Sequence, residues 1–341
     1  MKLDAVGCGS MVVDRFHRTP RIIGADEKIL IDAGFPRRPA TVQEAVGGVV
    51  LNHLGWARVL GLNVGIFGKL GNDPHGAFLR RGIRQAGIRR HLTCDGSASS
   101  FAAIFLDPAG NRAIYMVRGA TGELTAAEVR RRHAAFIRNS HIVSTEISQL
   151  PLKAVIAILS LARAAAIPTV LDVDVPPSDA CATLGTRPQL EQALRLATIL
   201  KPAKAAAREL VYGRADRDSL ALAAALRDQY QSRAVIITEG DRGCAISSTD
   251  ATLQVPAFRV KQVDSTGAGD AFTGALIAGL RWGLAWPSVG RLANAAGAVC
   301  VTRLGAFPAA PELRKEIQLL YGGKLPPARL RDSSLRRLRS E

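Results

Sequence analysis

Residues 264–274 read Asp-Ser-Thr-Gly-Ala-Gly-Asp-Ala-Phe-Thr-Gly, and this is the most informative segment of the chain for both fold and chemistry. The small residues at 267–269 lead directly into an apolar series with helical spacing, so a glycine-rich turn is predicted to begin a helix. Backbone N–H groups at a helix start lack partners within the helix, and the helix dipole adds positive potential there. A turn without bulky side chains therefore lets a phosphate approach those N–H groups closely.

Asp270 follows the glycine-rich turn directly. A carboxylate repels a phosphate, so its position is explained if the carboxylate takes a proton from a hydroxyl group that then attacks phosphorus. The alternative is a cap at the helix N-terminus, where Asp is common. These residues alone leave both interpretations open.

The same stretch resembles the signature of the PfkB, or ribokinase-like, family of sugar and nucleoside kinases, with Ser265 in place of the usual Thr. The resemblance implies a three-layer α/β/α fold with a mainly parallel central sheet and a small β-sheet lid. It implies that Asp270 is the general base and that K⁺ binds near Asp264. The implied anion hole for the transferred phosphoryl group is formed by Gly267, Ala268 and Gly269.

Three further segments resemble the family's substrate-binding motifs. Asp14 follows a short strand, where the family has an Asp that binds sugar hydroxyls, and Glu146 follows the strand expected at residues 142–144. Open α/β sheets bind ligands at the carboxyl ends of their strands. The family's Gly-Gly-x-x-x-Asn motif is matched by Gly47, Gly48 and Asn52. Without the resemblance, Asp14 would be explained as an ordinary loop Asp. Gly47, Gly48 and Asn52 would be explained as a helix start with an incidental Asn.

Other segments resemble the nucleotide-binding motifs, although ordinary turn and packing chemistry would explain each one singly. The family's Thr-x-Gly-x-x-Gly motif, which carries nucleotide phosphates, is matched by Thr238, Gly240 and Gly243. Asn294 lies in a segment that resembles the one that packs beside adenine in the family. Where the family has Lys-Pro-Asn-x-x-Glu, the chain has Lys-Pro-Ala-Lys-Ala-Ala, beginning at Lys201. Mg²⁺ is therefore expected to arrive with ATP, held mainly through phosphate oxygens and water, while Lys201 or Lys204 offsets phosphate charge.

Composition restricts the partners and the compartment. The five cysteines lie far apart with no Cys-x-x-Cys pair, which indicates a reducing cytoplasm. No apolar run reaches the roughly 18 residues that span a membrane. The net charge of +16 would suit nucleic acid, but aromatic residues make up only 5%, which favours an Arg-rich solvated surface. The expected partner is a small sugar or sugar-like molecule, with no nucleic acid and no membrane.

Short apolar runs alternate with helical patterns, which is typical of βα units around a parallel sheet. Strands are expected at residues 5–6, 64–67, 142–144, 169–173, 197–200 and 234–238. Helices are expected at residues 50–60, 76–86, 152–166, 189–196, 219–229, 268–280 and 286–302. Residues 12–46 and 97–118 break the alternation, the latter with a hairpin signal, and they predict the lid. One kinase domain is expected over residues 1–321, followed by a basic tail over 322–341.

The motifs together predict an ATP-dependent sugar kinase, and the resemblance makes a homodimer through the lid plausible. The first alternative is a nucleoside (adenosine-like) kinase on the same scaffold, because the lid would decide between the two substrates. A remoter alternative is a non-catalytic ligand-sensing or nucleic-acid-binding protein. The missing Asn-x-x-Glu and the basic charge support that alternative, and the retained Asp270 with its intact turn opposes it.

Overall fold

Strands alternate with helices along most of the chain. The structure is a computed structural model that describes residues 2–31, 42–95, 97–109, 111–211, 218–308, 310 and 312–327. Within these residues the strands are β1 (Ala5–Cys8), β2 (Val12–Arg18), β3 (Gln43–Gly47), β4 (Val64–Leu70), β5 (Arg89–Cys94), β6 (Ser100–Leu106), β7 (Arg112–Val117), β8 (Val143–Ile147), β9 (Thr169–Val173), β10 (Ile199–Pro202), β11 (Ala234–Thr238), β12 (Cys244–Ser248) and β13 (Thr252–Val255). The helices are α1 (Val49–Val59), α2 (Pro74–Gln85), α3 (Ala126–Glu128), α4 (Ala134–Arg138), α5 (Leu152–Ala164), α6 (Pro177–Thr183), α7 (Arg187–Leu196), α8 (Lys204–Leu210), α9 (Ser219–Tyr230), α10 (Ala268–Arg281), α11 (Trp286–Val301) and α12 (Leu313–Tyr321).

The large sheet is mainly parallel. Its strand order among the described residues is β13-β12-β11-β10-β9-β8-β1-β4-β5, and only the pairs β11–β12 and β12–β13 are antiparallel. Its central strands are short segments in which every residue is buried, as in β8 and β9. Such burial on both faces is expected of a parallel sheet with helices on each side.

Two hydrophobic cores lie on the two faces of the large sheet. Successive residues of β11 alternate between them: Ala234 and Ile236 join one core, while Val235 and Ile237 join the other. This is the two-residue period of a strand. Helices α1, α10 and α11 fill the first core, and α5, α7 and α9 fill the second. The expected three-layer α/β/α architecture is therefore confirmed.

A second sheet, here called the small sheet, has the order β3-β2-β6-β7. The hairpin expected at residues 100–118 is present, with Leu106 of β6 paired to Arg112 of β7. The apolar residues between 22 and 31 form no strand. Residues 32–41 of the expected lid lie outside the described residues.

The chain after α12 returns to the first core, where Leu325 is buried. The expected boundary at residue 321 is therefore not marked by a loss of packing. Residues 328–341 of the expected basic tail lie outside the described residues. In the described part of the chain, none of the helices has the length and apolar character needed to cross a membrane.

Candidate functional site

The glycine-rich turn has the geometry of an uncapped helix start. Gly267 occupies the N-cap position of α10 with φ +77°, which glycine adopts at little cost, and it provides no side chain to cap the helix. A Cβ atom at this position would collide with Ala306. Among the residues that the structure describes, no side chain caps the start of α10, and the backbone N–H of Ala268 makes a long hydrogen bond of 3.3 Å to Ser265 O.

Asp270 lies in the first turn of α10 and directs its carboxylate towards a neighbouring helix. Asn52 Nδ2 of α1 donates to Asp270 Oδ2 at 2.7 Å. The two helices approach closely because α10 carries Gly274, where a Cβ atom would lie 2.6 Å from both His53 O and Trp56 Cβ. This contact with α1 does not favour the interpretation of Asp270 as a simple cap of its own helix.

His53 is a functional candidate that the sequence does not reveal. It is fully buried, with Nδ1 3.1 Å from Ser144 Oγ and Nε2 3.3 Å from Asp172 Oδ2 and 3.6 Å from Asp270 Oδ1. Burial lowers the pKa of His53, but the hydrogen bonds and charges of Asp172 and Asp270 outweigh it and raise the pKa to about 9. In the sequence, His53 stands among the apolar residues of α1 and resembles a core histidine.

Lys201 forms a buried ion pair beside the glycine-rich turn. Its Nζ lies 2.9 Å from Asp172 Oδ2, and both side chains are buried. Burial lowers the pKa of Lys201, but Asp172 more than compensates and raises it above its usual value. A Cβ atom at Gly269 would lie 3.2 Å from Lys201 Nζ, so the ammonium group borders the turn. The pairing with Asp172, which the sequence does not predict, fixes that positive charge in place.

Asp14 and Gly47 meet where β2 pairs with β3. A Cβ atom at Gly47 would collide with the Asp14 carboxylate, so only glycine leaves room for it. Burial, with a contribution from Asp270, raises the pKa of Asp14 to about 7. The influence of Asp270 on this pKa indicates that the two carboxylates lie near one another.

Glu146 lies at the carboxyl end of β8 and is fully buried. Its Oε1 accepts from Ser10 N at 2.8 Å and its Oε2 from Ser10 Oγ at 3.1 Å, while burial raises the pKa of Glu146 to about 8. Ser10 Oγ also accepts from Val49 N at 3.0 Å, at the start of α1. Gly48 has φ +112° and packs closely against the Ser10 backbone. Ser10 thus joins Glu146 to the segment that carries Gly48 and Asn52.

Thr238, Gly240, Gly243 and Asn294 form a second group at the antiparallel end of the sheet. Thr238 ends β11, and the two glycines have φ +61° and φ +95°. Asn294 Nδ2 donates to Val255 O and Pro256 O, both at 3.0 Å, and a Cβ atom at Gly243 would collide with Val255 O. Gly243 and Asn294 therefore meet at the segment after β13, and no hydrogen bond or ion pair of the described residues links this group to Asp270.

The Asp264 carboxylate accepts three hydrogen bonds within the protein. Its Oδ1 accepts from Thr266 N at 2.9 Å and from Thr266 Oγ1 at 2.7 Å, and its Oδ2 accepts from Gly305 N at 3.1 Å. Arg112 of the small sheet places a guanidinium nitrogen 3.6 Å from Oδ1. The sequence gives no signal for Arg112, because its partner lies in a distant segment.

Two arrangements of acidic residues bear on a metal ion. His53, Asp172 and Asp270 have ligand atoms within 4.8 Å of one another. Mg²⁺ prefers oxygen ligands, and a protonated imidazole between the two carboxylates opposes a cation at that point. Asp174 is held more weakly, by a long hydrogen bond of 3.5 Å from Ser148 Oγ to its Oδ2. Partial desolvation, together with Asp172 and Asp270, raises the pKa of Asp174 to about 6, and a nearby cation would favour its charged form.

Comparison with known proteins finds sequence similarity over almost the whole chain. The family described as pfkB family carbohydrate kinase matches residues 9–313. Probable fructokinase-5 of Arabidopsis thaliana is 27% identical over 322 residues, which cover 90% of this chain and 94% of that protein. Ribokinase of Bacillus subtilis (strain 168) is 26% identical over 279 residues, which cover 82% of this chain and 88% of that protein.

Solved structures share the fold. A ribokinase of Arabidopsis thaliana, complexed with ribose and ATP, has a TM-score of 0.76 and 22% identity, covering 95% of this chain and 100% of that chain. A nucleoside kinase of Burkholderia thailandensis, in complex with inosine, has a TM-score of 0.74 and 23% identity, covering 96% of this chain and 100% of that chain. At these identities the likeness concerns the fold, which sugar and nucleoside kinases share.

Proposed function

The chain belongs to the pfkB family of carbohydrate kinases, and from this premise we propose that it transfers the γ-phosphoryl group of ATP to a hydroxyl group of a sugar. The observation that carries the proposal is the position of Asp270. Its carboxylate lies in the first turn of α10 beside the uncapped glycine-rich turn and is held by Asn52 of α1. A proton acceptor thereby adjoins an anion-binding turn, as transfer of a phosphoryl group to a hydroxyl requires.

Asp270 takes the proton of the sugar hydroxyl as that oxygen attacks phosphorus. The hydrogen bond from Asn52 and the imidazole of His53 hold the carboxylate from one side. The imidazole of His53 places Nε2 3.6 Å from Asp270 Oδ1, opposite the oxygen that Asn52 holds. The base is therefore oriented by two groups of a single helix, α1.

The glycine-rich turn stabilises the negative charge of the transferring phosphoryl group. The N–H groups of Gly267, Ala268 and Gly269 and the dipole of α10 act on that charge, and the ammonium of Lys201 beside Gly269 adds to them. Asp174 is the carboxylate that would hold Mg²⁺, which would accompany ATP and supply positive charge to the phosphates. Phosphoryl transfer depends mainly on such positioning and electrostatics.

The sugar lies where Asp14, Glu146 and the start of α1 meet. Asp14 and Glu146 accept hydrogen bonds from sugar hydroxyls when ionised, and Gly47 and Gly48 leave room for the ring. Asn52 Oδ1 is buried without a hydrogen-bond partner among the described residues, so it is a further acceptor at this point. The small sheet, which carries Asp14, acts as the lid and excludes water during transfer.

The nucleotide extends from the glycine-rich turn towards Thr238, Gly240 and Gly243, with adenine beside the helix that carries Asn294. The positive φ of both glycines supports this placement, because it exposes backbone to phosphate. A nucleotide in this position would contact elements from most of the chain. We therefore expect the large sheet and its lid to form one kinase domain, over about residues 1–321.

Two further features belong to the proposal. We expect a homodimer through the small sheet, because its open edge β7 exposes apolar side chains of Ile114, Tyr115, Met116 and Val117. We also expect the enzyme to work in the cytoplasm, since its five cysteines are free. We expect the positive surface charge of the protein to keep it soluble rather than to bind nucleic acid.

An ADP-release screen tests the proposed function. Purified protein is supplied with Mg²⁺-ATP and, in turn, fructose, ribose, other hexoses and pentoses, keto-deoxy acids and nucleosides. We expect release that depends on a sugar. Release with a nucleoside alone would favour the nucleoside kinase, which the shared fold allows. Salt-sensitive nucleic-acid binding with no release on any substrate would favour the non-catalytic alternative.

A further inference from the structure

A side chain of the small sheet, Arg112, reaches the segment that leads into the glycine-rich turn. Arg112 is the first residue of β7, and its guanidinium donates to Thr266 Oγ1 and lies 3.6 Å from Asp264 Oδ1. Thr266 directly precedes Gly267, the N-cap of α10. A positive charge that belongs to the small sheet is thus held at the entrance to the anion-binding turn.

The oxygens of Asp264 leave little room for a second cation. Thr266 donates to Oδ1 through its backbone N–H and its hydroxyl, and Gly305 N donates to Oδ2. A K⁺ ion on the same carboxylate would displace these donors or lie against the guanidinium of Arg112. Two neighbouring positive charges on one carboxylate repel each other. The residues around Asp264 therefore do not fit the K⁺ that the resemblance implies.

We propose that Arg112 takes the place of a monovalent cation at Asp264, so that the kinase works without K⁺. A guanidinium suits this role because it stays charged at every physiological pH and donates several hydrogen bonds in a fixed plane. It would bind Asp264 and Thr266 at the same time, whereas a metal ion would have to be recruited from solution.

Charge balance near the turn supports this assignment. Asp264 and Asp270 both lie close enough to Cys300 to raise the pKa of its thiol, after the larger effect of burial. Two carboxylates beside a turn that binds phosphate would weaken phosphate binding unless one is neutralised. Asp270 must stay free to take a proton, so Asp264 is the one that needs a permanent partner. Arg112 provides it from the lid.

Thermal unfolding without substrate is the primary test. Wild-type protein and Arg112→Ala are melted in potassium chloride and in tetramethylammonium chloride at equal ionic strength. We expect the wild type to have the same Tm in both salts and Arg112→Ala to have a higher Tm in potassium chloride, because K⁺ then enters the site. Arg112→Gln, which keeps most of the side chain, guards against a variant that fails to fold. Arg21→Ala, which removes an exposed arginine paired with Glu27, is the matched control and should behave as wild type.

Either of two results would overturn the proposal: a K⁺-specific rise in Tm of the wild type, or the same Tm in both salts for both Arg112 variants. A second readout rests on the proposed function. Sugar-dependent ADP release by the wild type should be equal in the two salts, and that of Arg112→Ala should fall roughly tenfold or more and recover in part with K⁺. Release by the wild type that requires K⁺ would also contradict the proposal. Absence of release on every sugar would count against the proposed function, and the melting comparison would still decide the role of Arg112.

Discussion

Asn52 Nδ2 donates a 2.7 Å hydrogen bond to Asp270 Oδ2, although 218 residues separate the two in the chain. The bond joins α1 to the first turn of α10 and fixes the carboxylate beside the glycine-rich turn. Asn52 itself is almost fully buried. The proposed base is thus oriented by the helix that also carries His53. The contacts of Asp270 with Asn52 and His53 result from the packing of α1 against α10.

Replacing Asn52 with Ala should reduce kcat about 10- to 100-fold, because a hydrogen bond to a charged group is worth about 1.5–3 kcal/mol. The orientation of Asp270 is lost, while the groups that bind ATP remain. KM for ATP should therefore change little. Steady-state kinetics on the best sugar of the screen measures both constants. An unchanged kcat would show that this bond does not orient the base.

Asp270→Asn should lower turnover by about 10²- to 10⁴-fold, since the amide cannot accept the proton of the sugar hydroxyl. ATP binding should persist, and calorimetric titration can verify it. The matched control is Asp218→Asn: Asp218 caps α9 by accepting from Ala221 N at 2.8 Å, and asparagine caps equally well. Near-normal turnover of a folded Asp270→Asn variant would refute the assignment of the base.

Gly267→Ala should abolish most activity, because its Cβ atom would collide with Ala306 and displace the glycine-rich turn. Gly283 is the matched control, since it also has positive φ (+68°) but no atom lies within 4 Å of a Cβ atom placed there. Both variants lose roughly 1–2 kcal/mol of stability to the left-handed backbone. Only Gly267→Ala should also lose ADP release, and equal activities in the two variants would contradict the role of the turn.

Lys201→Met should destabilise the fold by up to about 3–5 kcal/mol, because Asp172 then remains buried with only the imidazole of His53 to offset its charge. Adding Asp172→Asn should restore a large part of that loss, which urea unfolding of the single and double variants can measure. Arg21→Ala, at an exposed pair, should cause no measurable change. Additive effects of the two substitutions would show that Lys201 and Asp172 are not coupled.

Glu146→Gln should change how stability depends on pH. In the folded protein the pKa of Glu146 is raised from 4.5 to about 8, so its protonation favours the folded state. As pH rises through this range the unfolded chain loses the proton first, and the wild type loses stability on the order of a few kcal/mol by the alkaline end. The variant lacks this loss.

The Tm of Glu146→Gln relative to wild type should therefore increase from pH 5 to pH 9, measured at constant ionic strength. Glu316→Gln serves as the control, because Glu316 is a solvent-accessible partner of Arg303. Parallel curves for wild type and Glu146→Gln would mean that the buried carboxyl group does not titrate as the structure implies.

Much of the fold follows from local patterns in the sequence. Helical spacing after residue 267 predicted α10 to within one residue at its C-terminal end, and the turn chemistry at residues 107–111 predicted the hairpin of β6 and β7. These features are predictable because they depend on residues close together in the sequence, three or four positions apart in a helix and two apart in a strand. By contrast, the β-prone residues near Ile29 and Leu30 form no strand, and β2 pairs with β3 and β6 instead, which the local sequence pattern does not predict.

The glycine-rich turn and the acid that follows it can be recognised in the sequence alone, and the resemblance adds the residues expected to contact a sugar. The contacts of the charged groups follow from tertiary packing: His53 lies between Asp172 and Asp270, Lys201 pairs with Asp172, and Arg112 lies beside Asp264. The physical reason is that backbone conformation and amphipathic pattern are local properties, whereas charge pairing depends on which helices and strands pack together. The glycine-rich turn is therefore encoded in one stretch of sequence, and its electrostatic surroundings are assembled from segments far apart in the chain.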